Sequence, residues 1–433
     1  MSTLRIDGGR VLLPDMSVER ADVLVEREEG EILAVGDPDE LPVGDERLDA
    51  GGGLVIPGLV NAHGHAAMTL LRGYADDKPL ETWLREDVWP VEGALTPEDV
   101  RAGVELGVLE MIRSGTTAFA DMYFHVPEVA AVVEESGTRA RLGHGVVTVG
   151  KDEEAAREDA EESVAIAEEF DGAADGRIST AVMPHSLTTV GEEHLADLVD
   201  GAREAGVPIH YHANETAEEV EPIVDERGVR PLEYAREVGM LEEGDFLAHG
   251  VHLDDREIAL LSETGASVIH CPASNMKLAS GMAPVQKLLD AGVTVGIGTD
   301  GAASNNDLDA FDELRDAAML GKLAADDASA VPAESAVEMA TAGSAEALGI
   351  DSGRIETGAN ADLAVIDLEH AHLTPAHDLL SHLAYAVRGS DVRHTVCDGR
   401  VVMRDREVLT LDEDRVREEA ERRAAEAVAR ANR

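Results

Sequence analysis

The sequence predicts an α/β protein: a (β/α)8 TIM-type barrel carrying a small β-sandwich built from both chain ends. Three observations lead there. Short apolar runs alternate with helical stretches eight times through the middle of the chain. Alternating, Gly/Asp-rich β texture precedes that middle and returns after it. Most of the eight runs finish in a histidine or an acid, and the carboxyl ends of barrel strands are where such a fold does its chemistry.

Residues 1–57 read as the first part of the sandwich. LRIDGGRVLL, ADVLVEREEGEILAVG and ERLDAGGGLVIP alternate apolar and polar positions and break at Gly/Asp turns, the pattern of antiparallel strands. Residues 58–350 read as the barrel. Its strands are GLVNAHGH (58–65), GTTAFADMYF (115–124), RARLGHGVV (139–147) and RISTAVMPHS (177–186), then GVPIHYHANE (206–215), GDFLAHGVHL (244–253), ASVIHCPASN (266–275) and VTVGIGTDG (293–301). Amphipathic stretches such as PEDVRAGVELGVLEMIRSG, EEHLADLVDGAREAG and DDREIALLSETG separate them as helices. Residues 351–410, with GRIETGANADLAVIDL and DVRHTVCDGRVVMRDREVL, read as the second part of the sandwich. Residues 411–433 read as a charged, solvated closing helix.

Composition narrows the function. With 433 residues and 44% hydrophobic content the chain can bury a large core. No apolar run reaches the about 18 residues of a membrane span, and MSTLRIDGGRVLLPD lacks the apolar region of a signal peptide. Two cysteines, Cys271 and Cys397, exclude a disulfide framework and fit a reducing cytoplasm. The net charge of −52, with only five lysines, argues against nucleic acid and anionic membranes as partners. The acids are spread through amphipathic segments such as DEEAAREDAEESVAIAEEF, as in proteins of salt-loving microbes. At molar salt the Debye length falls to about 3 Å and their repulsion is screened. A homo-oligomer is compatible with all of this.

In GLVNAHGH, His63 and His65 are one residue apart on a strand and so project to the same face. Alone, the pair reads more readily as hydrogen-bonded surface histidines than as metal ligands. Other strands, however, bring His144, His185, His212, His249, His270 and Asp300 to the same rim, a pattern of metal-ligand types. Gly296, Gly298 and Gly301 spell GxGxxG, but the polar loop AASNNDLD follows where a dinucleotide site needs a helix, and Asp300 would repel a pyrophosphate. A dinucleotide is therefore not expected.

PGLVNAHGH, HANE, LAHGVHL, HCPASNMKL and GTDGAASNN together resemble the amidohydrolase superfamily. Within it they are most similar to the methylthioadenosine/S-adenosylhomocysteine deaminases and their chlorohydrolase relatives, over about residues 5–405. MTLLRG, WL…WPVE and DMYFH strengthen the likeness. The resemblance implies one divalent metal, zinc or else iron, held by His63, His65, His212 and Asp300. RISTAVMPHS offers no lysine that could bridge a second metal. It implies Glu215 of HxxE as proton shuttle, with His249 and Asp300 managing the protons of the attacking water. It further implies Glu92 on the ribose hydroxyls, Trp83 near the base and His185 on the purine. His144 stands where relatives offer an arginine to the S-adenosylhomocysteine carboxylate, with Lys151 or Arg157 as substitutes. His210 is expected as a packed strand residue, His270 as a residue behind the site, and Cys271 as a small buried one.

The implied reaction is hydrolytic deamination of a small-molecule nucleoside: methylthioadenosine, S-adenosylhomocysteine, adenosine or 5′-deoxyadenosine. Because histidine lacks arginine's bidentate grip, neutral 5′ groups are expected to be favoured. The alternatives are another aminated heterocycle (guanine, a pterin, a triazine) or a non-catalytic scaffold, although a scaffold would be expected to have lost ligands that this sequence keeps.

Overall fold

In the computed structural model, which describes residues 2–432, each of the eight expected runs contains parallel strand. One sheet orders Ile178–Thr180, Arg139–Val146, Thr116–Tyr123 and Leu59–Asn61, with Met183–Pro184 also on Arg139–Val146. A second orders His210–Ala213, Phe246–His249, Ser267–His270 and Val295–Ile297. Gly64–His65 pairs with Asp300–Gly301. Thr116–Tyr123 and Arg139–Val146 are buried at every position, as strands covered on both faces must be.

The two parallel sheets touch at both margins. Bridges Val182↔Ile209 and Ser186↔His212 join them at one side. At the other, Ala62 N donates to Ile297 O (2.8 Å) and Asp300 N to His63 O (3.1 Å). The GxGxxG glycines have their explanation at that second margin. A Cβ on Gly298 would stand 2.8 Å from His63 Cβ and carbonyl oxygen, and one on Gly301 would overlap Met68. Close approach of the last strand to the first accounts for Gly298, packing on Met68 for Gly301, and packing on Ile269 and Ser344 for Gly296.

The chain ends form two mixed sheets. Glu31–Gly36, Asp22–Glu26, Thr3–Asp7 and Glu46–Asp49 make one. The other has seven strands, and its centre pairs Leu363–Ile366 antiparallel with Leu54–Pro57, so that both ends of the chain contribute to it. Leu4, Ile6, Val23, Leu48, Val55 and Val365 belong to one buried apolar cluster shared by the two sheets.

The closing helix, Glu413–Ala431, differs from the expectation of a solvated helix. Val416, Ala420 and Ala427 are buried, and the helix lies against Pro97–Arg113. The cause is charge. Asp99, which caps that helix together with Thr96, and Glu105 are both buried on Pro97–Arg113. Arg430 and Arg423 reach Asp99, and Arg415 reaches Glu105 at 2.9 Å. Only three small apolar residues mark the inner face, too sparse a stripe to read from sequence.

Candidate metal centre

His63 and His65 follow the first strand, His212 ends the fifth and Asp300 follows the eighth. One ligand atom from each lies within 4.8 Å of the others, and all four residues are buried. His65 Nε2 is 3.2 Å and His63 Nε2 3.5 Å from Asp300 Oδ1. The other carboxylate oxygen, Oδ2, accepts hydrogen bonds from Ser274 (2.7 Å) and Ser304 (2.6 Å), which turns Oδ1 toward the imidazoles. Asn214, His249 and Asp300 have left-handed backbone at φ +55°, +76° and +58°. Each such bend costs about 1–2 kcal/mol outside glycine and tends to persist where a site needs a side chain re-aimed at a strand end.

The hydrogen bonds fix which nitrogen each imidazole turns inward. A carbonyl oxygen can only accept. His65 Nδ1, 2.7 Å from Met122 O, therefore carries its proton there, as does His212 Nδ1, 2.7 Å from His185 O. Both turn Nε2 toward the cluster. His63 Nδ1 lies 2.8 Å from His210 Nε2, and His63 Nε2 is a buried atom without a hydrogen-bond partner. Burial pushes His63 down to about 4 and His212 well below its usual range. Burial opposes charge on His65 too, yet Asp300 lifts it to about 9. Burial would raise Asp300, but His63 and His65 close beside it hold its carboxyl well below the usual range. Two neutral imidazoles, a third that favours a proton, and an ionised carboxylate make a centre that prefers positive charge. That donor set fits a divalent zinc or iron ion.

Glu215 and His249 stand beside the four. His249 Nε2 is 3.7 Å from Glu215 Oε2, its Nδ1 is 3.0 Å from Asn275 Oδ1, and its ring centroid is 5.4 Å from that of His212. Glu215 Oε1 accepts from Ser280 (3.2 Å), and burial raises its carboxyl above the usual range. The His185 ring lies 4.6 Å from that of His212, with Nδ1 3.1 Å from Thr189 Oγ1. Glu92 Oε1 accepts from Tyr123 Oη at 2.8 Å; burial raises this carboxyl, and the charge of His65 draws it back.

Two further expected substrate residues hold hydrogen bonds within the protein. Trp83 is buried and donates Nε1–H to Ala75 O at 3.0 Å. His144 is buried with Nε2 3.0 Å from Asp159 Oδ1, and Lys151 holds the other oxygen of Asp159 at 2.7 Å. Arg157 is exposed and faces Glu161. His270 is buried with neither ring nitrogen hydrogen-bonded among the described residues, and Cys271 is a buried free thiol pushed well above its usual range by burial. Sequence reading missed the supports: Ser274 and Ser304 on Asp300, Tyr123 on Glu92, and Asp121, whose Oδ1 accepts from Ala66 N (2.6 Å) just after His65. All four stand inside quoted motifs: Ser274 in HCPASNMKL, Ser304 in GTDGAASNN, and Asp121 and Tyr123 in DMYFH.

Comparisons with known proteins agree with this geometry. The amidohydrolase family model matches residues 54–402. The chain is 69% identical over 431 residues to a 5-methylthioadenosine/S-adenosylhomocysteine deaminase of Natronomonas pharaonis, covering 100% of this chain and 99% of that one. It is 45% identical over 415 residues to a 5′-deoxyadenosine deaminase of Methanosarcina mazei, covering 96% and 95%. Among solved structures, an adenosine deaminase from Xanthomonas campestris with bound zinc superposes with a TM-score of 0.93 at 36% identity, over 99% of each chain.

Proposed function

The chain belongs to the amidohydrolase family, and from that premise we propose that it is a hydrolytic deaminase of adenosine-type nucleosides. Methylthioadenosine, S-adenosylhomocysteine, adenosine and 5′-deoxyadenosine are its substrate class. The observation that carries the reading is the meeting of three imidazoles and the Asp300 carboxylate within 4.8 Å, with Glu215 and His249 alongside. His63, His65, His212 and Asp300 would hold one divalent ion, zinc first and iron second. Such an ion, when bound, acts as a Lewis acid that brings the pKa of water to about 7.

The protein's own groups then move protons. Glu215, its carboxyl raised above the usual range by burial, acts as the proton carrier and delivers a proton to a ring nitrogen of the purine. Water adds at C6 while Asp300 and His249 accept its proton and return it to the departing amino group. The C6–N bond breaks and ammonia leaves with one proton from water; the other passes from the C6 hydroxyl back to Glu215 as the C6 carbonyl forms, and the ring nitrogen keeps the proton that Glu215 gave. Glu92, with one oxygen held by Tyr123, is suited to accept from ribose hydroxyls. His185 faces the purine, Trp83 backs the wall near the base, and His144 lies toward the 5′ end.

The same reading extends to the frame. The hydrogen bonds at both margins of the parallel sheets support a closed (β/α)8 barrel over residues 58–350. The shared apolar cluster supports a β-sandwich of residues 1–57 and 351–410, with residues 411–433 as the closing helix. Among the described residues no helix is long and apolar enough to cross a membrane. Two buried free cysteines fit a cytoplasmic enzyme, and the charge of −52 disfavours nucleic acid. An ammonia-release assay at molar salt over the four nucleosides, guanine, a pterin and a triazine tests the function. Release from the adenosine-type compounds is expected; release from guanine, pterin or triazine alone would replace the reading.

A further inference from the structure

His65 and His212 are each locked by a backbone carbonyl, but His63 has none. Its Nδ1 meets another side chain, His210 Nε2, at 2.8 Å, and His210 Nδ1 in turn lies 2.9 Å from Phe246 O. The carbonyl can only accept, so His210 carries its proton on Nδ1. A neutral imidazole has a single N–H, which makes His210 Nε2 an acceptor. His63 must then donate through Nδ1, and its Nε2 is left as a bare lone pair aimed at Asp300 and the other ligands. Both rings are fully buried, where neutrality is favoured. The His210 ring is itself clamped flat on Phe246, with centroids 4.1 Å apart and planes at 14°. A packed strand residue therefore also dictates the state of its neighbour.

We infer that His210 is a positioning residue that fixes the tautomer and orientation of His63, making His63 competent to hold a metal ion. The inference rests on the four-residue ligand set proposed above. An outer partner of this kind commonly accounts for about 10–100-fold in metal affinity. Without an acceptor at His210, the His63 proton can move to Nε2 and cover the lone pair.

The test measures zinc affinity of the full chain at molar salt by competition with a chromophoric chelator, beside the melting temperature of the zinc-free protein. His210→Phe keeps the ring on Phe246 but removes the acceptor; about 10–100-fold weaker zinc binding with little change in zinc-free melting is expected. His210→Gln, whose Oε1 can take the place of Nε2, is expected to restore most of the affinity. Wild-type affinity in His210→Phe, or equal weakening in both variants, overturns the inference. Nitrogen-15 spectra of histidine in the zinc-free wild-type protein check it without any variant. Nδ1-protonated His63 and His210 are expected, and an Nε2-protonated His63 overturns it. Asp300→Asn separates the two levels: if it binds zinc as the wild type does, the ligand set itself is wrong.

Discussion

Glu215 illustrates how much one side chain owes to its surroundings. Held by Ser280 and faced by His249, its carboxyl is raised above the range of a solvated glutamate by burial. Glu215→Gln keeps the shape and removes the titrating group. The variant should bind methylthioadenosine nearly as well as the wild type while kcat falls at least about 100-fold, which steady-state ammonia release measures. Specificity is also argued at this scale. His144 and Lys151 both serve Asp159, and Arg157 serves Glu161. Each of these side chains already faces an acid of the protein rather than standing ready to grip the amino-acid carboxylate of S-adenosylhomocysteine. Higher kcat/KM for methylthioadenosine, adenosine or 5′-deoxyadenosine than for S-adenosylhomocysteine is expected, and a clear preference for the last would refute the argument.

At the scale of elements, the acidic composition is put to structural use. Asp and Glu fill the first turns of Pro97–Arg113, Glu153–Phe170, Glu192–Ala205 and Asp255–Thr264, where helix dipoles favour negative charge. Asp99 goes further, since it is buried and answered by arginines from the closing helix. Arg430→Ala leaves that carboxylate with Arg423 and the Thr96 cap. A loss of about 1–3 kcal/mol is expected for removing a hydrogen bond to a buried charge, read from denaturant unfolding at molar salt. An unchanged midpoint would show the helix to be incidental.

For the whole molecule the deciding quantity is the charge of −52. The core is built of buried apolar side chains, so this charge bears chiefly on the surface. With a Debye length of about 10 Å at 0.1 M salt the surface acids repel across the molecule, and at molar salt, with about 3 Å, they do not. The melting temperature and the specific activity should both rise steeply between these conditions. Equal melting temperatures at both would contradict a charge-limited stability.

The order of strands and helices was determined by the sequence alone, because hydrophobic periodicity and Gly/Asp turns act locally. The rim histidines and Asp300 were legible for the same reason, since strand alternation dictates which side chains face the same way. Tertiary structure alone decided which of those residues meet. Trp83, which matches a family position, donates to Ala75 O, and His144, which departs from one, meets Asp159. His210, set aside as packing, lies hydrogen-bonded to a residue 147 positions away. The closing helix shows the same limit, for its solvated look hides two buried acids on a helix over 300 positions earlier. Hydrogen bonds and ion pairs form across distances in the chain that no local pattern encodes, and burial then sets their strength and each group's charge.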